Sequence, residues 1–314
     1  IFLGLQTFYN ATEKPELESK LNDTLSSAKT SKKKRFVTRL GWALAQLHLT
    51  KKTDETPEQR AAKAREALVA LVPEIDPKET APRILADVGD ALAESGDPGN
   101  ATLIYEGLRK WWPRAPERDR AYAGLGFIAA KAKEEPKALE YFDRYEKTSI
   151  MPKTAPDDHG VALVQGELGG KVAMARADLL ATREPEQALN IFLAIQKSKA
   201  MPAKSRGEAF MKAARLHASQ GRYREALPYF EQVYLLFNRF PAMVAEAYYE
   251  RGEALEKLNM KDKAREVYSE LATREDLKSY KPAELGLQRA EALGGVIEPK
   301  EPEGGLIPTT PVTR

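Results

Sequence analysis

The feature that most constrains this chain is an alanine followed four residues later by an aromatic residue or a leucine, recurring at a nearly fixed interval. The pairs are Ala64/Leu68, Ala101/Tyr105, Ala138/Phe142, Ala188/Phe192, Ala226/Phe230 and Ala264/Tyr268, with alanines 37, 37, 50, 38 and 38 residues apart. A period of this size marks one supersecondary unit copied along the chain, each copy burying its apolar face against its neighbours. Counting domains from the 314 residues is therefore misleading, because a repeat array grows without needing a second core.

The clearest copy runs from Pro82 to Pro113. Ile84, Leu85, Val88 and Leu92 recur three and four apart and form one helical face. Gly89 stands in the middle of that helix, where glycine costs about 1 kcal/mol against alanine, so the position implies close approach of a second helix. Ser95 to Asn100 carries turn residues and helix stop and start signals. The second helix presents Ala101 at the crossing with Tyr105 beside it, and Pro113 ends the copy. In four copies a small residue precedes the alanine by twelve positions: Gly89, Gly126, Ala214 and Gly252. That offset ties both helices of each copy to one pattern.

Val88-Gly89, Gly96, Ala101, Tyr105 and Pro113 together resemble the tetratricopeptide repeat family, and the resemblance extends over roughly residues 36 to 272. It implies an all-α fold, a right-handed α-solenoid or superhelix of about six to seven helix-turn-helix repeats with capping helices. Copies of 37 to 38 residues exceed the family's usual 34, and between Leu40-Gly41 and Ala64 the turn near Lys51–Thr56 is expanded. The expected organisation is a degenerate N-terminal helical pair or cap at 1–30 and a repeat array at 31–272. An insertion at about 147–166 accounts for the 50-residue step. A C-terminal capping helix at 273–297 and a disordered Pro/Gly/Thr-rich tail at 298–314 complete it.

Little in the chain suggests chemistry. There is no cysteine, which excludes disulfides, thiolate metal sites and cysteine nucleophiles. His48, His159 and His217 have no His or Cys partner at metal-ligand spacing, and Asp157-Asp158-His159 lacks the ligand count that calcium needs. The stretch from Gly166 to Lys171 fails as a phosphate loop, with Gln165 and Val172 at positions where Gly and Ser or Thr are required. No apolar run approaches the roughly 18 residues of a membrane span. Against 46 acidic residues, 49 basic ones leave a net charge of only +3. The sharpest local charge is Lys32-Lys33-Lys34-Arg35 with Arg39 one turn on, open to phosphate, a lipid surface or an acidic partner, or simply a solvated linker. Trp111 and Trp112 are consecutive, so both cannot share one helix face.

What the resemblance implies about function is recognition of another protein. In this family the first helices line a concave groove, through the second, fifth, ninth and twelfth repeat positions. Carried onto this sequence, those positions select Trp42, Arg83, Asp90, Arg120, Phe127, Met211, Arg215, Tyr249 and Glu253. Arg, Met and aromatic residues suit an extended or helical partner segment. The Lys/Asn clamp of one subfamily is absent at Thr38, Trp42, Ala86 and Asp90. The expectation is a non-catalytic scaffold that helps hold a multiprotein assembly, with no cofactor, metal or small-molecule substrate; RNA binding by a related helical-repeat family is the alternative. Longer repeats and Lys/Glu-rich helices resemble bacterial cell-envelope members, with membrane association expected only through a partner or an anchor upstream of Ile1.

Overall fold

A computed structural model of the chain describes residues 17–50, 56–156 and 160–297. The tail expected at 298–314, most of the N-terminal pair expected at 1–30, and the Asp157-Asp158-His159 triplet lie outside the described residues. Among those that are described the protein is all-α, with one isolated bridge, Lys153 to Val164, and no named strand. It divides into two compact units, residues 1–152 and 153–314.

The first unit contains α1 (Leu17–Thr30), α2 (Lys34–Thr50), α3 (Pro57–Leu71), α4 (Pro82–Glu94), α5 (Pro98–Trp111), α6 (Arg118–Lys131) and α7 (Glu135–Thr148), with a 3-10 turn at Val72–Glu74. The second contains α8 (Gly166–Leu180), α9 (Pro185–Lys197), α10 (Ala203–Ser219), α11 (Tyr223–Leu236), α12 (Pro241–Lys257), α13 (Lys261–Thr273) and α14 (Lys281–Ala292). Three helical pairs stack in each unit: α2/α3, α4/α5 and α6/α7, then α8/α9, α10/α11 and α12/α13. α14 packs on α13 and α12, burying Ala283, Gly286 and Ala290.

Local sequence sets the ends of these helices. Proline occupies the first turn of α3, α4, α5, α7, α9, α12 and α14, where its missing N–H leaves no intrahelical bond unmade. Thr56 and Gln59 form a reciprocal capping box on α3, and Asp97 accepts from the Asn100 N–H on α5. The turn within four of the pairs needs a left-handed residue seven after the small one. Gly96 and Gly221 meet it readily, whereas Lys133 (φ 62°) and Asn259 (φ 58°) adopt it with a side chain.

The small residues are where the aromatic rings go. A methyl at Gly89 would lie 2.5 Å from the Tyr105 ring, one at Gly126 2.4 Å from Phe142, and one at Gly252 2.3 Å from Tyr268. In α10/α11 Ala214 precedes Phe230 by the same sixteen residues, and both are fully enclosed. The α8/α9 pair departs, with Arg176 sixteen before the buried Phe192. Tyr105 has a second constraint, since a methyl at Gly124 of α6 would lie 2.4 Å from the other side of its ring.

The 50-residue step is built from residues 149–165, between α7 and α8. At its start the buried Asp119 carboxylate accepts from Ser149 Oγ (2.6 Å) and the Ile150 N–H (3.1 Å), fixing how the chain leaves α7. Further on, Thr154 and Leu163 exchange hydrogen bonds, and Leu163 and Val164 are buried. Gly169 faces the Val164 carbonyl so closely that a Cβ would come within 2.0 Å. Close packing of this loop on the helix thus accounts for a glycine in the run that superficially suggested a phosphate loop. Trp112 donates from Nε1 to the Pro77 carbonyl (2.7 Å), while Trp111 turns outward and is 42% exposed.

Candidate functional site

The first helices repeat a register in which the residue after the small one, three before it and six before it share a face. The residue after it is Trp42, Asp90, Phe127, Arg215 or Glu253, according to the helix. Three before it stand Ala86, Ala123, Met211 and Tyr249, and six before it stand Arg83 and Arg120.

In the first unit this face is bonded to itself. Arg120 of α6 reaches α4, where Nε lies 3.0 Å from Asp90 and Nη1 2.7 Å from Asp87. Asp90 also accepts from the Tyr105 hydroxyl at 2.6 Å. Burial, then the neighbouring Asp90 charge, pushes the Tyr105 phenol well above its ordinary range. Phe127 sets its ring edge-on to Phe142 at 5.3 Å, and Trp42 packs half-buried against the core. Arg83 is exposed. Two of these residues, Asp90 and Arg120, are brought together by a direct bond; their role is at least partly to join neighbouring repeats.

In the second unit Met211 is only 2% exposed and belongs to the core, as do Ala86 and Ala123 at the same register in the first. The sequence register placed Met211 on the groove face; the structure withdraws it, because at this position a side chain points between the helices. Arg215 of α10 pairs with Glu246 and Glu250 of α12, and Lys212 pairs with Asp178 of α8 at 2.8 Å. These pairings were missed from sequence. Their signal is an opposite charge about one repeat away on the next first helix, but with so many charges it stands out only once the faces are known.

Tyr249 and Glu253 differ from the rest. They line a cleft of about 640 Å³ whose walls include Tyr223 and Phe230 of α11, Glu256 of α12 and Arg289 of α14. Tyr249 is long enough to pass the layer where Met211 is enclosed, and its ring meets Tyr268 at 5.8 Å. Glu256 accepts from the Tyr268 hydroxyl (2.8 Å) and lies 3.8 Å from Arg289. Glu253 occupies the register of Asp90, yet it has no hydrogen bond or ion pair among the described residues. A half-buried carboxylate beside tyrosine rings can receive a cationic or hydrogen-bond-donating group without displacing an internal partner.

His217 is buried and stacks on Tyr229 at 5.3 Å; burial, then Arg222, lowers its pKa. Among the described residues no three of His, Cys, Asp or Glu gather as metal ligands, and no helix is long and apolar enough to cross a membrane.

Residues 211–279 match the Tetratricopeptide repeat family. No curated protein sequence matches the chain. Among solved structures, the C-terminal part of a TPR repeat-containing protein from Cytophaga hutchinsonii aligns with a TM-score of 0.55 and 15% identity, covering 90% of this chain and 99% of that one. PilW, a type IV pilus biogenesis factor, aligns at 0.49 with 15% identity over 77% of this chain and 97% of its own. YrrB, a TPR protein with an unusual peptide-binding site, aligns at 0.46 with 16% identity over 73% and 99%. Folds of this kind serve in general as scaffolds for protein–protein interaction. Residues 211–279 thus match the tetratricopeptide repeat family, and the chain shares over 90% of its length the helical-repeat fold of a TPR repeat-containing protein.

Proposed function

We propose that this protein is a non-catalytic scaffold that holds a segment of a partner protein in the cleft around Tyr249 and Glu253, as part of a multiprotein assembly. One contrast carries this reading. At the same register, Asp90 is saturated by Tyr105 and Arg120, whereas Glu253 is left unpaired in an open cleft. Interface energy concentrates in a few aromatic and charged anchors seated in such recesses. The partner segment that fits is one presenting a Lys or Arg, its charge met by Glu253 and its methylene stem laid on the tyrosines. Arg83, Phe127 and Trp42 hold the corresponding register on the first helices of the first unit.

Selection of displayed peptides on the full chain tests this. Enriched peptides are expected to carry a basic residue, and Glu253→Lys or Tyr249→Ala should weaken their binding tenfold or more, about 1.4 kcal/mol. Unchanged binding in both variants, with helical content intact, overturns the cleft as the binding site. Charge reversal at Arg120 is a poor probe, since it would set a third carboxylate against Asp87 and Asp90 and damage the repeat junction itself.

A further inference from the structure

Between Asp23 and Asp54 the chain has no acidic residue and eight Lys or Arg, although the whole chain carries 49 basic against 46 acidic residues. Lys32, Lys33, Lys34, Arg35 and Arg39 fall at the α1–α2 turn and the start of α2, are exposed, and have no carboxylate partner among the described residues. That is unlike Arg120, Arg215 and Lys212, each of which is paired across a repeat junction. Arg35 and Arg39 line a recess of about 210 Å³ together with Thr80, Pro82 and Trp112. Trp112 is tied to Pro77, and next to it Lys78 sets its ammonium 4.1 Å from the centre of the exposed Trp111 ring, with Lys110 at 5.2 Å. Phe36, beside Arg35, is 56% exposed. The cationic recess is therefore accompanied by two exposed aromatic rings on the elements that line it, Phe36 next to Arg35 on α2 and Trp111 next to Trp112 at the end of α5. The acidic groups there are the exposed Glu79, which lines the same recess, and the half-buried Asp76, which accepts from the Lys78 N–H.

We infer that this region docks the protein on an anionic lipid surface. Charge alone would attract any polyanion; the rings decide among them. An acidic protein segment would be met by the cations and leave Phe36 and Trp111 in water. Base stacking requires an open ring face, and Lys78 lies over Trp111. At a membrane interface the two features serve together, since aromatic rings settle among the headgroups while Lys and Arg neutralise them. The attachment is peripheral, through protruding side chains and surface charge. It is independent of the cleft at Tyr249, which lies in the other unit.

Co-sedimentation of the full chain with vesicles tests the inference. Mixed phosphatidylglycerol–phosphatidylcholine vesicles should carry the protein down and pure phosphatidylcholine vesicles should not. Each cation near such a surface contributes roughly fivefold to partitioning, so the Lys33→Gln/Lys34→Gln/Arg35→Gln variant should bind about a hundredfold more weakly. Phe36→Ser, which changes no charge, should also weaken binding, and Trp111 fluorescence should shift to the blue on the vesicles. All of these positions are exposed, and unchanged circular dichroism confirms that the variants fold. Absence of sedimentation with the anionic vesicles overturns the inference. So does sedimentation indifferent to Phe36→Ser and Trp111→Ser and abolished by single-stranded RNA or polyglutamate, which would make the region a binder of soluble polyanions.

Discussion

Tyr105 shows how far a single residue is constrained in this protein. Its ring fills the space left by Gly89 on its own first helix and by Gly124 on the next one, and its hydroxyl is held by Asp90. In a helix exposed to solvent, replacing glycine by alanine gains about 1 kcal/mol. Here the sign should reverse. Gly89→Ala and Gly252→Ala should each lose about 1–3 kcal/mol, because the tyrosine rings opposite are pinned by bonds to Asp90 and Glu256 and cannot swing away. Gly126→Ala should cost less, since Phe142 has no hydroxyl to hold it. Urea denaturation midpoints measure the order, and a stabilised Gly89→Ala would refute the packing argument. The twelve-residue offset made Gly89, Gly126 and Gly252 legible in the sequence, because the same steric contact recurs inside each copy. Gly124 was not legible, because its partner belongs to the preceding copy.

At the scale of helices and turns, Lys133 and Asn259 take a left-handed conformation that glycine adopts at Gly96 and Gly221. Lys133→Gly should therefore stabilise the α6/α7 pair by up to about 1 kcal/mol, read as a higher thermal midpoint, provided the Lys133 side chain contributes nothing else. No change or a loss would show that it does. Helix limits were readable wherever proline, a capping box or a turn glycine marked them. The candidate face was readable only in part. Spacing places Met211 and Tyr249 at one register, but side-chain length decides that the first is enclosed and the second reaches the cleft. The ion pairs of Arg120 and Arg215 were hidden by abundance, since nearly every helix carries charges of both signs.

Taken as a whole, the molecule has buried phenols distributed through both units. Burial pushes Tyr145 and Tyr234 up to about 12, and it raises Tyr105, Tyr268 and Tyr248 above the ordinary phenol range, aided by Asp90, Glu256 and Glu270. Because the folded state favours the neutral phenol, this stability is fully present below the unfolded value of about 10. It is lost as pH rises from about 10 through 12 and beyond. The urea midpoint should hold steady to about pH 9 and then fall, with tyrosinate absorbance and loss of helical signal rising together. Phenols that ionise near pH 10 while the helices persist would contradict it. The clasp on Tyr105 has a further consequence for how such an array can change its length. Excising Pro82 to Pro113, the copy as the sequence prints it, would take Tyr105 away and leave Gly124 facing the preceding repeat's Leu68, a smaller side chain than the ring it is cut to fit. A duplication or deletion that keeps each ring with both its glycines must instead begin within a first helix and end within the next, so evolution and protein engineering alike should find the joints of this protein out of step with its motif.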